Sequence, residues 1–250
     1  MQLRLVFIFA IGVALSSNAA EIEKAPTLDE LVAKNIEAKG GADALKGLQS
    51  LKLTGKLIVN EGQLQLAYSE TKKRPEEVRA EFTLQGMTAV QAYDGKEGWK
   101  ISPFQGRKDP EKLSADDSKP LMEDAEIDGP LVDWKNKGST IDYVGREDVD
   151  GTSAYKIKVV RKNGDVSFVY LDPDHFLEIR ILTQRIRHGA QEETETDISD
   201  YEKIGGVFIP FSIEEGRKGD PDKQKTVIEK AEANVPVDDA IFKFPTTASK

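Results

Sequence analysis

From Thr140 onward the chain reads as one long series of period-two segments, and that pattern leaves little choice of fold. Residues 141–147, 154–161, 166–171, 177–187, 193–202, 207–215 and 226–233 alternate apolar with polar side chains, the period of a strand with one dry face and one wet face. Asp150-Gly151, Asn163-Gly164, Asp172-Pro173-Asp174, Gly205-Gly206 and Gly219-Asp220-Pro221 separate them. These residue types turn the chain because they accept positive φ, fix φ, or bond their own backbone. Links this short join antiparallel strands, since parallel neighbours need crossovers of about a dozen residues or more.

The same period appears earlier. Leu51, Leu53, Leu57 and Val59 mark one strand, and Leu64, Leu66 and Tyr68 mark the next, across Asn60-Glu61-Gly62. Val78, Ala80, Phe82 and Leu84 mark a third, and strands 87–93 and 98–102 meet across Asp94-Gly95, a dipeptide suited to a tight hairpin. Two regions depart from the pattern. Thr27 with Glu30 forms a capping box ahead of Leu28, Leu31, Val32 and Ile36 at helical spacing, and Gly40-Gly41 ends that helix. A second short helical piece covers 42–48. Residues 105–117 are charged and turn-rich, and 118–134 read as two short helices interrupted at Asp128-Gly129-Pro130, with Asp128 capping the second, Pro130 opening it and Gly138 closing it.

A long antiparallel sheet with one dry face must curl or be covered, and the helical regions are the available covers. The expected fold is therefore mainly β with some α: one strongly curved antiparallel sheet, an unclosed β barrel, with helices over its concave face.

Residues 1–19 have the layout of a secretory signal peptide: Arg4, an apolar run over 5–15, then Ser16, Ser17, Asn18 and Ala19. Ser17 and Ala19 are small residues at the −3 and −1 positions of a peptidase site, so cleavage is expected after Ala19 or one residue later. The run is shorter than the roughly 20 residues a membrane-spanning helix takes. Residues 20–250 are then expected to form one domain. The chain has no cysteine, which removes a lipid-modified N-terminus, a disulfide framework and thiolate metal sites. It carries 44 acidic against 35 basic residues. No basic stripe with interleaved aromatics occurs, which argues against a nucleic-acid partner.

Residues suited to catalysis are sparse. His175 follows Asp172-Pro173-Asp174 in a turn, and His188 precedes Gly189 at a hairpin tip. Neither points to a metal or a cofactor. No serine stands in a nucleophile elbow, and no phosphate-binding glycine loop occurs. Carboxylate pairs such as Glu192-Glu193 fall on strand faces expected to be exposed, where they protect edges. A hydrolase would need titratable groups gathered in the concavity, and the pattern announces none, so the expectation is a protein without enzymatic activity. The stronger signal is apolar. Phe82, Met87, Trp99, Phe104, Leu121, Met122, Leu131 and Trp134 lie where sheet gives way to helix. They serve either as ordinary packing between sheet and helix or as the lining of a lipid cavity, for which methionine and aromatic side chains are adaptable.

The order of these features resembles the outer-membrane lipoprotein-sorting proteins of the LolA/LolB superfamily. The resemblance rests on Tyr93-Asp94-Gly95-Lys96-Glu97-Gly98-Trp99, on 129–138, on Ser199-Asp200-Tyr201 leading to Gly205-Gly206-Val207-Phe208-Ile209-Pro210, and on 234–239 with Phe242 and Pro245. It implies an unclosed barrel with a helical lid over a hydrophobic cavity, and a periplasmic carrier of lipid or acylated lipoprotein cargo. It also implies an inner-membrane transporter and an outer-membrane acceptor as partners. The alternative within the same resemblance is an RseB-like sensor that binds a protein partner and transports nothing.

Overall fold

The computed structural model describes residues 25–245, so the expected signal segment 1–19 lies outside the described residues. The first helix, α1 (Leu28–Ala38), starts where its capping box stands. The Thr27 hydroxyl oxygen accepts from the Glu30 amide at 3.3 Å, and the Glu30 carboxylate accepts from the Thr27 amide at 2.7 Å. Gly40 ends it at φ +117°, and a Cβ there would overlap the Gly206 carbonyl oxygen. That position needs glycine twice over, for its dihedral and for the close backbone approach. A short α2 (Ala42–Gly47) follows.

Six strands come next: β1 (Ser50–Val59), β2 (Leu64–Lys73), β3 (Glu77–Leu84), β4 (Met87–Asp94), β5 (Gly98–Ser102) and β6 (Arg107–Lys112). After α3 (Ala115–Asp124) come seven more: β7 (Thr140–Val149), β8 (Thr152–Val160), β9 (Val166–Leu171), β10 (Glu178–Arg187), β11 (Ala190–Ile204), β12 (Val207–Arg217) and β13 (Gln224–Ala233). They form one antiparallel sheet in the order β6-β5-β4-β3-β2-β1-β13-β12-β11-β10-β9-β8-β7. The chain thus makes two meanders, and β13 returns to pair with β1, placing Leu51 opposite Ala233 and Leu57 opposite Thr226. A bulge between Thr54 and Gly55 interrupts that pairing, and a Cβ on Gly55 would overlap the Val227 carbonyl oxygen. Bulges bend and twist a sheet, and this one lies at the junction of the two meanders.

β6 and β7 stand at opposite ends of the sheet and do not pair, so the barrel is unclosed. Residues 113–139 leave one free edge and rejoin at the other. The shortest route between them crosses the mouth of the curved sheet, and α3 lies on that route. Leu121 and Ala125 pack there on Val78 and Tyr93 of β3 and β4. Two larger clusters hold the rest of the concave side. Leu45, Leu48, Leu51, Leu53, Val207 and Ile209 pack beneath α2. Leu31 of α1 packs with Leu131 onto Ile157, Val169 and Leu171. Each such fully buried aliphatic side chain contributes about 1.5–3 kcal/mol. On the outer face, the C-terminal segment crosses β1 to β5. Phe242 is fully buried there, and the Trp99 indole N–H donates to its carbonyl oxygen at 2.6 Å.

The structure departs from the sequence pattern at three places. The charged stretch expected to be irregular contains β6, an edge strand that tolerates Pro110 because only one side is paired. The helix expected from Ser118 starts at Ala115, capped by Ser114, and ends at Asp124. No second helix forms over 130–134. Asp133 takes φ +53° there, and 130–138 run as successive turns. Asp128 does not cap; it accepts hydrogen bonds from Arg74, whose guanidinium also donates to the Leu45 and Leu48 carbonyl oxygens at the end of α2. No described helix is long and apolar enough to cross a membrane.

Candidate functional site

Two hollows lie between the concave face and the crossing segment, and they share a wall. The first has a volume of about 460 Å³ and lies, partly open, between β1 to β4, the ends of β12 and β13, and α3. Leu57, Leu66, Tyr68, Val78, Ala80, Phe82, Phe104, Leu121 and Ile213 give it an apolar surface. The second, about 400 Å³, lies between residues 120–130 and β1, β2 and β9 to β12, where Leu51, Leu53, Ile181, Ile198 and Ile209 line it together with Ser167, Thr183, Thr194, Thr196 and many charged side chains. Glu70, Lys72, Pro120, Asp124, Ile213 and Glu215 border both. Both volumes fall in the range of small-molecule sites, about 300–1,000 Å³.

Alternation explains why charges stand inside. On β2, Leu66, Tyr68, Glu70 and Lys72 are successive members of one face; on β10, Ile181, Thr183, Arg185 and Arg187 are. Most of these charges are paired. Lys72 Nζ lies 3.4 Å from Glu70, Arg185 Nη2 lies 3.1 Å from Glu123, and Arg161 Nη1 donates to Glu126 at 2.6 Å. Deeper in the polar hollow, Lys39 Nζ donates to Glu178 at 2.9 Å and to the Asp128 carbonyl oxygen at 3.0 Å, and the Tyr201 hydroxyl donates to the Glu178 carbonyl oxygen at 2.9 Å. These bonds tie the end of α1 and the crossing segment to β10. A further set fixes the start of α3. Arg187 reaches Asp117 at 3.1 Å, His188 Nε2 lies 3.0 Å from the same carboxylate, and Lys119 donates to the Ile186 carbonyl oxygen at 2.8 Å. The Ser114 hydroxyl, His188 and Arg187 together hold the Asp117 carboxyl down to about 2.

The shared wall is electrostatically uncomfortable. Burial raises the carboxyl of Glu70 against the pull of Lys72, and burial raises that of Glu123 against Arg161 and Arg185. The Asp124 carboxyl is raised too, by loss of surrounding water against the pull of Lys72 and Arg185, although the residue as a whole is exposed. Glu215 rises to about 7, through burial first and then the charge of Asp124. Burying a charge is costly unless it is paired and hydrogen-bonded.

No protein-family model matches the sequence, and no curated protein matches it. Solved structures do match. A DUF1329 family protein from Desulfovibrio piger superposes with a TM-score of 0.60 at 15% identity, over 88% of this chain and 98% of that one. A domain described as an outer membrane lipoprotein-sorting protein, from Vibrio parahaemolyticus, gives 0.58 at 12% identity, over 84% and 95%. The LolA superfamily protein NE2245 from Nitrosomonas europaea gives 0.58 at 13% identity, over 88% and 98%. The chain has a LolA-like fold.

Within this LolA-like fold the eight apolar residues singled out from the sequence are divided. Phe82, Phe104 and Leu121 meet around the apolar hollow. Met87 and Met122 are 41% and 39% exposed. Leu131 is packed solid between α1 and β7 to β9, with Trp134 at the margin of that cluster. Trp99 shares its face with Val90, Ala92 and Phe244 on the outer side of the sheet, because alternation along β4 sends Ala89 and Gln91 inward instead. Glu192, expected on an exposed face, borders the polar hollow beside Arg187 at 3.5 Å, while Glu193 faces out towards Lys218. The titratable cluster in the concavity, which the sequence reading had not found, is the main addition. His175 and His188 stand outside it, and no group of three or more His, Cys, Asp or Glu suited to a metal ion occurs among the described residues.

Proposed function

We propose that the protein is a periplasmic carrier that takes acyl chains of lipoproteins or other lipids into the hollow beneath α3 and conveys them towards the outer membrane. Residues 20–250 act as one domain in this reading, after removal of residues 1–19. The observation that carries it is the apolar hollow itself, partly covered by a segment that spans the two free edges of the sheet. Each CH₂ buried there contributes about 0.8 kcal/mol, so a chain of ordinary length needs no charged anchor to be held. The similar structures support the reading through what they are: a lipoprotein-sorting domain and a LolA superfamily protein. An inner-membrane donor and an outer-membrane acceptor are its partners.

The test is to produce the exported protein, purify it without detergent, and examine it by native mass spectrometry with organic extraction. A stoichiometric lipid or acylated peptide is the expected result. A protein that arrives empty and takes up no acyl probe overturns the carrier reading and moves the assignment to a partner-binding sensor. The unpaired carboxylates Asp124 and Glu215 give a hydrolytic reading its one foothold. Turnover of an ester or glycoside that is lost in Asp124→Asn would select it.

A further inference from the structure

One ion pair stands at the boundary of the two hollows. Both hollows have aliphatic surfaces, Leu57, Leu66 and Phe82 in the first and Leu51, Leu53 and Ile181 in the second. Between them β2 carries Glu70 and Lys72 at inward positions, in phase with Leu66 and Tyr68. Glu70 is buried, the Lys72 side chain is 18% exposed, and Lys72 Nζ lies 3.4 Å from the Glu70 carboxylate. Pro120 and Asp124 meet the same boundary from α3. Stability does not explain this pair. Taking two charges out of water offsets most of what their attraction returns, and well-packed apolar side chains in their place are often neutral or stabilising.

The pair instead marks the end of an apolar path. Register sets Lys72, Val78, Tyr93 and Gly98 level with one another across β2 to β5. Phe104 lies six residues beyond Gly98, just past the other end of β5. It lines the apolar hollow and is 41% exposed, so the hollow meets water there. A tail entering past Phe104 runs along Leu66, Phe82 and Val78 and arrives at Glu70 and Lys72. Further advance presses hydrocarbon onto a buried ion pair and strips its remaining water without supplying a hydrogen bond. We infer that the Glu70–Lys72 pair is a length stop. The terminal methyl of the tail rests against it, the head group stays at the Phe104 end, and the second hollow is closed to the tail despite its aliphatic walls. Four residues of β2 separate Leu66 from Glu70, about 13 Å at roughly 3.3 Å per residue. An extended chain of single bonds advances about 1.3 Å per carbon, so the stop lies about ten carbons in.

This inference rests on the carrier reading and limits the length of its cargo's tail. The test is a series of saturated fatty acids, from octanoate to palmitate, below their micelle concentrations. Binding to the detergent-free mature protein is followed by calorimetry. Each buried CH₂ is worth about fourfold in affinity. The wild type should gain about that factor per carbon up to about ten carbons, and less than about 1.5-fold per carbon beyond roughly twelve. Glu70→Met with Lys72→Met keeps unbranched side chains and leaves the net charge unchanged. In this variant the climb continues, so palmitate binds at least about tenfold tighter than it does to the wild type, while octanoate is unchanged within about threefold. Retained octanoate binding shows that the variant folds; if it does not fold, Glu70→Leu with Lys72→Leu takes its place, and the wild-type series decides by itself. A wild-type series that climbs evenly through palmitate, or a folded variant that levels off at the wild-type length, overturns the stop and leaves the carrier reading standing. No binding at any length overturns both.

Discussion

Glu215 makes the stability of this protein depend on pH in an unusual direction. Burial and the neighbouring charge of Asp124 push its carboxyl from the ordinary 4.5 up to about 7, against the pull of Arg185. The folded state therefore holds this proton more tightly than the unfolded chain. The sign follows from linkage: the contribution is fully present below pH 4.5 and is lost as pH rises through 7. At about 1.36 kcal/mol per unit, the interval sets a ceiling of about 3 kcal/mol. Glu215 faces a hollow that admits water, and screening there brings the expected loss to about 1–2 kcal/mol. Urea unfolding of the mature protein at half-unit steps from pH 4.5 to 8 measures it. Glu215→Gln is neutral throughout, keeps the volume and removes the titration. The variant should overtake the wild type as pH rises and exceed it by about 1–2 kcal/mol at pH 8. If the two curves run parallel over the whole range, Glu215 titrates at its ordinary value and the description of the wall is wrong.

Three further outcomes follow from the packing. Lys39→Met leaves the Glu178 carboxylate buried without its cation and costs about 3–5 kcal/mol in urea unfolding; Lys39→Met with Glu178→Gln restores most of it, and a single-variant loss under about 1 kcal/mol would refute the pair's role. Gly40→Ala must place a Cβ on the Gly206 carbonyl oxygen at a left-handed φ, so it destabilises by more than the roughly 1 kcal/mol of a helix-end glycine; a neutral result in thermal unfolding refutes that contact. Leu121→Ala removes the main apolar anchor of α3 and costs about 2–5 kcal/mol locally. Amide exchange over 115–124 should accelerate while β1 and β2 stay protected, and uniform acceleration would refute α3 as a separately opening unit.

Much of the fold was legible because its signals are local. Alternation, the Thr27–Glu30 box and the Asp94-Gly95 and Asp150-Gly151 turns each fix a few residues without reference to the rest. β6 was illegible for the opposite reason: Arg107-Lys108-Asp109-Pro110 has no dry face, and it pairs only because β5 presents a free edge. Asp128 read as a cap because its partner, Arg74, is far away in sequence. Of the apolar residues singled out from the sequence, Phe82 and Leu121 stand at the hollow, while its charged wall went unread. The signal was present in the register. Glu70 and Lys72 keep phase with Leu66 and Tyr68, and Glu215 with Ile213, so charges occupy inward positions of strands whose dry face was already assigned. Trp99 was misplaced by reading residue type ahead of phase.

The crossing segment has a mechanical consequence. Residues 113–139 both cover the mouth and join the two free edges, so cover and tether are one piece of chain. Lifting α3 draws on β6 and β7 together, and spreading the edges pulls α3 down, as a drawstring tightens when a bag is filled. A bulky occupant would thus stretch its own closure. The start of α3 stands only a few residues beyond β6, so parting the Asp117–Arg187 and Lys119–Ile186 ties loads that edge first.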